Sequence, residues 1–223
     1  MKFNKALRTI ALCCGLVGFG SSHAAVMLFD SVSDKGSIQY SASIGGGVSL
    51  SALVEFTLNS LTSSQAVFGV KVSNNSSGLG SNRLMSLAID VVTPQLKSAS
   101  ANSGWDASLN STLPGFGKVD LCVWDGSNCS GGGFFGGVGE GASESFNLTL
   151  KTNGNFLTDG ISFASPYAAR FQGVGFWGDS ASIAGTIVTA PGAVTSQVPE
   201  PASLALMGLG LLGAVVARRR SSA

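Results

Sequence analysis

Alternation of apolar and polar residues with a period of two constrains this chain most, because successive side chains of a β-strand point to opposite faces. From Val48 to Leu58 (VSLSALVEFTL), every second residue is apolar, and Ser, Glu and Thr fill the other positions except Leu53. Similar patterns predict further strands at Ser37–Ile44, Ala66–Ser73, Ser86–Val92, Lys118–Trp124, Ser143–Leu150, Ile161–Ala164, Arg170–Phe176 and Ala184–Thr189.

Clusters of Gly, Asn, Ser and Asp separate the predicted strands, at Ser73–Asn82, Ala99–Ser111 and Ser127–Gly141, and these residues favour turns and loops. Amphipathic helical spacing is absent from the sequence between its two ends. Eight or nine short strands with turn clusters predict an all-β fold, an antiparallel β-sandwich or jelly roll. We expect this fold over residues 25–189, followed by a flexible or extended linker over residues 190–197 (APGAVTSQ).

The first 24 residues have the pattern of a secretory signal peptide. An apolar stretch of ten residues, Ile10–Phe19, follows three basic residues, Lys2, Lys5 and Arg8. Small residues then predict cleavage between Ala24 and Ala25.

Two other interpretations of this N-terminal segment fit less well. As a helix the apolar stretch spans about 15 Å, half of the roughly 30 Å hydrocarbon core that a transmembrane anchor must cross. A lipoprotein signal is disfavoured because Leu12 precedes Cys13, where lipid attachment prefers a small residue.

The C-terminal segment combines three features. Pro199, Glu200 and Pro201 precede sixteen uncharged, mostly apolar residues, 202–217, and then a basic cluster of Arg218, Arg219 and Arg220. The apolar stretch reaches about 24 Å as a helix, which is marginal for spanning a membrane, and the arginines favour a cytoplasmic end. The prolines predict an extended, exposed segment that a membrane-embedded enzyme can reach.

Residues 198–223 resemble the PEP-CTERM sorting signal. Pro199, Glu200 and Pro201 match its motif, and Arg218–Arg220 match its basic cluster. The resemblance implies export through the general secretion machinery of a Gram-negative, often biofilm-forming bacterium. It also implies transient anchoring in the inner membrane and processing by exosortase, a membrane protease-transpeptidase analogous in role to sortase. An ordinary C-terminal anchor is the alternative. The resemblance implies sorting, and no activity for the rest of the chain.

Removal of both ends changes the chemistry of the remaining chain. Residues 25–198 keep seven Lys and Arg against 11 Asp and Glu, a net charge of −4, so we expect no nucleic-acid partner. The single His, His23, leaves with the signal peptide. Its loss excludes a Ser-His-Asp triad, a Cys-His dyad and an imidazole-based zinc site. We therefore expect no enzyme and no cofactor.

Cys122 and Cys129 are the two cysteines that remain after signal cleavage. A cysteine pair in an exported chain predicts a disulfide, and the turn residues between them allow the close approach. Closure of this short loop stabilises the fold by about 2.5 kcal/mol. The stretch 113–137 also loosely resembles a pattern of some PEP-CTERM proteins in the cistern subgroup, which agrees with a disulfide.

The Gly-rich segment Ser130–Gly141 formally contains Gly-x-Gly-x-x-Gly. A dinucleotide site needs a helix directly after this motif, whereas a strand is predicted here, so we expect a surface loop. Its Phe134 and Phe135 are expected either in the core or exposed. Calcium binding by Asp125 and Asn128 lacks the Asp-x-Asp-x-Asp spacing, so no metal site is expected.

Sugar chemistry leaves two alternatives open. A glycosidase requires two carboxylates that flank one bond, and the spacing of the acidic residues reveals no such pair. Trp105, Trp124 and Trp177 are able to stack on sugar rings, although core packing is their commoner use. The sequence thus predicts a non-enzymatic protein of the cell surface or extracellular matrix, associated with the envelope or with biofilm exopolysaccharide. The alternatives are a carbohydrate-binding module and a carboxylate-based polysaccharide hydrolase.

Overall fold

The computed structural model describes residues 26–78, 82–131, 135–175 and 178–191. The predicted cleavage position at Ala24 and Ala25, the Pro199–Pro201 motif and the Arg218–Arg220 cluster all lie outside the described residues. Across the described ranges, no helix has the length and the apolar character needed to cross a membrane.

Antiparallel strands form almost all of the described chain, as the sequence predicts. The elements are β1 (Met27–Phe29), β2 (Lys35–Gly45), β3 (Val48–Leu61), β4 (Gln65–Asn74), β5 (Arg83–Thr93), β6 (Leu96–Ala101), β7 (Trp105–Leu113), β8 (Gly117–Asp125), β9 (Val138–Gly139), β10 (Ser143–Thr152), α1 (Phe156–Asp159), β11 (Ile161–Val174) and β12 (Asp179–Thr189).

The strands are hydrogen-bonded in the order β6-β10-β4-β3-β2-β12-β11-β5-β8-β7, with β1 on β11 and β9 on β5. The path folds over into two facing layers, and β12 passes from one to the other. Its first half, to Ala184, pairs with β11, and its second half, from Gly185, pairs with β2. A Cβ at Gly185 would lie 2.5 Å from Ile38 Cγ2 and 2.6 Å from Tyr40 Cε1. Glycine is therefore required where β12 changes layers.

Four phenylalanine rings hold the two layers together at the centre of the core. Phe56 of β3 and Phe68 of β4 belong to one layer, while Phe29 of β1 and Phe163 of β11 belong to the other. Phe29 meets Phe68 edge to face, with 5.0 Å between ring centroids, and Phe163 lies 5.6 Å from Phe56. Such tilted and edge contacts are the favoured arrangements of buried aromatic pairs. The all-β sandwich prediction is confirmed.

A second, smaller apolar cluster covers the outer face of the β11-β5-β8 layer. Ala168, Ala88 and Cys122 lie opposite one another on three neighbouring strands, and Cys129 packs against them from the loop after β8. Because small side chains occupy two of these positions, the loop lies close to the sheet. β5 is consequently buried on both faces from Leu84 to Ile89.

Several predicted elements differ from the observed ones. The predicted loop Ala99–Ser111 is wrong, because β6 ends and β7 begins within it. These edge strands are rich in small polar residues, so their amino-acid composition resembles that of a loop. The predicted strand Ile161–Ala164 and residues 170–174 of the predicted strand Arg170–Phe176 belong to the single strand β11, whose pairing with β5 is irregular around Pro166. Phe176 lies outside the described residues. An irregular segment accommodates proline, which lacks a backbone N–H.

Candidate functional site

A groove of about 500 Å³ lies on the outer face of β3, β4 and β10. Strand register places its polar side chains in rows across the sheet. Thr57, Gly69 and Asn147 form one row, and Glu55, Lys71 and Ser145 form the next. Asn59, Asn102, Ser103, Val70 and Phe146 complete the lining.

Gly69 forms the floor of the groove. A Cβ at this position would lie 2.8 Å from Asn59 Nδ2, so any larger residue displaces the Asn59 side chain. Asn59 itself lies at an irregularity of the β3–β4 pairing, between the pairs Leu58–Phe68 and Ser60–Val67. The extra residue bends the strand locally and redirects its side chain, which brings the Asn59 amide over the glycine.

The turn between β6 and β7 forms the wall of the groove. Asn147 N donates to Asn102 Oδ1 over 2.7 Å, which attaches the turn to β10. Beneath it, the Trp105 ring stacks on Phe146 with 4.5 Å between centroids, and Trp105 Nε1 donates to Glu144 Oε2 over 3.1 Å. The wall is therefore held by both a backbone contact and an aromatic contact.

The groove presents polar groups that remain available to a ligand. Among the described residues, the side chains of Thr57, Asn59, Ser145 and Asn147 have no hydrogen-bond partner. Lys71 and Glu55 form an ion pair of 3.5 Å at the rim, with about half of each side chain exposed. The groove therefore offers neutral hydrogen-bond donors and acceptors beside an ion pair whose two charges neutralise each other. This arrangement suits a ligand rich in hydroxyl groups.

The predicted disulfide is present. Cys122 and Cys129 are bonded, with 6.0 Å between their Cα atoms, and both are buried. Ser86 Oγ donates to the Cys129 carbonyl over 2.7 Å. The bridge therefore fastens the start of the Gly-rich loop to the outer face of the β11-β5-β8 layer.

Contacts with Asp125 and Arg83 hold the later part of the Gly-rich loop. Gly137 N donates to Asp125 Oδ2 over 2.7 Å, and the Arg83 guanidinium donates to the carbonyls of Gly136 and Gly137. Asn128 Oδ1 accepts from Ser130 N over 2.9 Å. The two residues considered for calcium thus use an oxygen each for loop structure.

The described residues offer neither a metal-ligating cluster nor a dinucleotide-binding loop. Within residues 26–78, 82–131, 135–175 and 178–191, His, Cys, Asp and Glu form no group of three or more positioned for a metal ion. The Gly-rich loop leads into β9 and β10, not into a helix. The helix N-terminus that would bind a dinucleotide pyrophosphate is therefore missing from the described part of the loop region.

The carboxylates of Asp90 and Asp120 lie close together on the neighbouring strands β5 and β8. Asp90 Oδ1 accepts from Asp120 N, and Asp120 Oδ2 accepts from Val91 N, each over 3.1 Å. Burial raises the pKa of Asp90, the charge of Asp120 raises it further, and the hydrogen bond from Asp120 N opposes the shift. Each carboxylate thus accepts a backbone N–H of the neighbouring strand, in place of a carbonyl of the β5–β8 ladder. Neither Asp90 nor Asp120 lines the polar groove, whose carboxylate is that of Glu55.

The aromatic residues considered for sugar stacking are dispersed. Trp105 is 2% exposed, Trp124 is half-buried, and Phe135 is 88% exposed on the Gly-rich loop. Trp177 and Phe134 lie outside the described residues. The polar groove was not predicted from the sequence, although a glycine inside a predicted strand, Gly69, is a known sign of a close approach or an irregularity.

Comparison with known families finds one match, to the PEP-CTERM protein-sorting motif at residues 197–220. Neither the curated proteins nor the solved structures include a match to this chain. The matched residues contain Pro199, Glu200 and Pro201 together with Arg218–Arg220. The resemblance of residues 113–137 to the cistern subgroup stays a prediction, because the match does not reach them.

The motif at residues 197–220 indicates export, processing by exosortase and transient membrane anchoring before surface display. The last strand of the β-sandwich, β12, ends at Thr189, and the described residues end at Pro191. The β-sandwich is the part of the chain that this signal delivers. The chain therefore carries a PEP-CTERM protein-sorting motif at residues 197–220.

Proposed function

We propose that this chain is a non-enzymatic protein of the cell surface or extracellular matrix of a Gram-negative bacterium, where it associates with exopolysaccharide. The observation that carries the proposal is the sorting motif at residues 197–220. In this proposal the general secretion machinery exports the chain across the inner membrane, and exosortase then releases the domain. The β-sandwich with its disulfide is the delivered part, and it suits an oxidising environment.

The chemistry of the exported residues supports a non-enzymatic role. Residues 25–198 contain no His, so acid–base and nucleophilic mechanisms that rely on imidazole are excluded. Asp90 and Asp120 each accept a backbone N–H, which favours a structural use. A carboxylate-based polysaccharide hydrolase is consequently the weaker alternative.

A carbohydrate-binding module is the second candidate function, and the polar groove on β3, β4 and β10 favours it. Its neutral hydroxyl and amide groups match the hydroxyl groups of sugars. A binding module and a matrix protein share the same delivery route, so this candidate refines the first without replacing it.

Intact-mass measurement of the protein recovered from the surface of its native host tests the processing step. We expect loss of the first 24 residues and of the segment from the Pro199–Pro201 motif onward. The variant Glu200→Ala should leave the chain in the membrane fraction, and Glu55→Ala, which removes the same charge from the folded domain, should be processed normally. Surface protein that still carries Arg218–Arg220 would contradict the proposal.

A reducing-end assay tests the non-enzymatic part. The surface-recovered protein is incubated with the host's exopolysaccharide and with commercial glucans, and new reducing ends are counted. We expect release no faster than with buffer. Release that is lost in the double variant Asp90→Asn/Asp120→Asn would establish the hydrolase alternative instead.

A further inference from the structure

We propose that the groove on the outer face of β3, β4 and β10 binds an uncharged polysaccharide chain. The inference rests on the proposed association with exopolysaccharide, and it identifies the binding surface and the class of sugar polymer. It depends on the hydrogen-bonding groups, the charge and the shape of the groove.

Hydrogen-bonding capacity is concentrated in the row Thr57, Gly69, Asn147 and its neighbours Asn59 and Ser145. The four side chains have no partner among the described residues, so a ligand does not have to displace an internal hydrogen bond. Hydroxyls and carboxamides both donate and accept. A sugar hydroxyl does the same, which makes the two surfaces complementary whichever way each hydroxyl points.

Charge excludes an acidic polymer from the groove. The Lys71 ammonium lies 3.5 Å from a Glu55 carboxylate oxygen, so the only positive charge of the lining is neutralised by its neighbour. The exported residues 25–198 have a net charge of −4, which repels polyanions at long range. An uncharged glycan meets neither of these penalties.

Shape favours a polymer over a small ligand. Neighbouring strands lie about 4.8 Å apart, so the row from Thr57 to Asn147 extends roughly 10 Å across three strands. The hollow above Gly69 is open to solvent and is bounded on one side by Asn102 and Ser103. Phe146 is only 4% exposed, so contacts are mainly polar. A long chain with many equivalent sugar units compensates for weak individual sites by multivalent binding.

Affinity electrophoresis of the processed protein, recovered from the host surface, tests the inference. The gels contain a neutral glucan, a neutral galactomannan, alginate as the acidic polymer, or no polysaccharide. We expect retardation in at least one neutral gel and none in alginate. Thr57→Ala/Asn147→Ala should weaken the apparent affinity about tenfold, because two hydrogen bonds are lost.

Two further variants separate binding from folding. Gly69→Val should abolish retardation, since its side chain fills the floor of the groove, where the nearest atoms to an added Cβ belong to the end of the Asn59 side chain. Thr186→Ala is the matched control: it removes an exposed strand threonine on β12, outside the groove, and should leave retardation unchanged. Melting temperatures within a few degrees of the parent's exclude unfolding as the cause.

Three results would overturn the inference: retardation only in alginate, no retardation in any gel, or equal retardation of the parent and the groove variants. None of them affects the processing result, because the mass measurement requires no ligand. Where processing fails, the detergent-solubilised full chain is used in the same gels. Failure of the sorting proposal and failure of the groove inference are therefore distinguishable.

Discussion

Trp105 of β7 stacks nearly parallel on Phe146 of β10, with 4.5 Å between ring centroids and 17° between ring planes. The two residues lie in different layers, at the side of the sandwich where the strand order ends in β6 and β7. Trp105 Nε1 also donates to Glu144 Oε2 over 3.1 Å. This contact closes the open side of the sandwich and supports the wall of the polar groove.

Replacement of Trp105 by alanine should therefore lower the free energy of unfolding by about 3–5 kcal/mol, the usual cost of removing a large buried aromatic side chain. Urea denaturation followed by circular dichroism measures the change. Phe135→Ala is the control, because its ring is 88% exposed, and its effect should remain within about 0.5 kcal/mol. Equal effects of the two substitutions would show that the Trp105–Phe146 contact does not stabilise the sandwich.

Removal of the disulfide should destabilise the fold through the unfolded chain. In Cys122→Ala/Cys129→Ala, the eight-residue loop is no longer closed, and the free energy of unfolding should fall by about 2.5 kcal/mol. The melting temperature should fall by roughly 5–10 °C for a domain of this size. Reduction of the parent protein with dithiothreitol should produce a similar fall.

The dithiothreitol experiment has an internal control, since the double variant contains no disulfide in its folded domain. Its melting temperature should not respond to the reductant. A parent protein that melts at the same temperature with and without reductant would contradict a stabilising role of the Cys122–Cys129 bond.

Periodicity predicted β3 well because this strand is buried on one face only. β3 extends from Val48 to Leu61, against a predicted Val48–Leu58, and its buried residues alternate as the sequence does. The edge strands β6 and β7 were missed because few of their residues are buried. β7 is anchored in the core by Trp105 and Leu113 at its ends, and the residues between are mostly small and polar. Tertiary burial of two residues, rather than local preference, makes this segment a strand.

The candidate groove was beyond sequence reasoning because it depends on register. Thr57, Gly69 and Asn147 are far apart in the chain, and only the pairing of β3, β4 and β10 places them in one row. The disulfide was predictable because its two cysteines are close in sequence and both remain in the exported chain. Sites built from one segment were found, and the site built across three strands was not.

Tyr40→Phe should stabilise the protein. The Tyr40 hydroxyl is buried and has no hydrogen-bond partner among the described residues, and burial, with the charge of Tyr167 as a smaller cause, raises its pKa. A buried polar group without a partner costs about 1–3 kcal/mol, so its removal should raise the free energy of unfolding by about 1 kcal/mol. Urea titration at neutral pH measures the difference.

Tyr167→Phe is the matched comparison for Tyr40→Phe. The Tyr167 hydroxyl donates to the Phe163 carbonyl over 2.7 Å, and burial raises its pKa to about 12. The loss of this bond should destabilise the protein by about 1 kcal/mol. The two substitutions remove the same atom, so changes of the same sign would contradict the assignment of one satisfied and one unsatisfied hydroxyl.

Asp90→Asn should stabilise the protein near neutral pH and lose that advantage in acid. Asp90 lies opposite Asp120 on the neighbouring strand, and burial and the Asp120 charge raise the pKa of Asp90 above 3.8. Asp90 thus binds a proton more tightly in the folded state than in the unfolded state. As the pH falls through the raised pKa, protonation of Asp90 removes its repulsion with Asp120 in the parent protein. Asparagine retains an oxygen to accept from Asp120 N.

The expected gain from Asp90→Asn at pH 7 is about 0.2–1 kcal/mol, the range for like charges placed opposite each other in a sheet. Urea denaturation at several pH values between 7 and 3 should show the gap between variant and parent closing towards acid. Asp106→Asn, which removes an exposed carboxylate from β7 in the same layer, should change stability by no more than about 0.5 kcal/mol. A variant less stable than the parent at pH 7, or a gap that widens in acid, would show that the Asp90 charge is favourable in the folded protein.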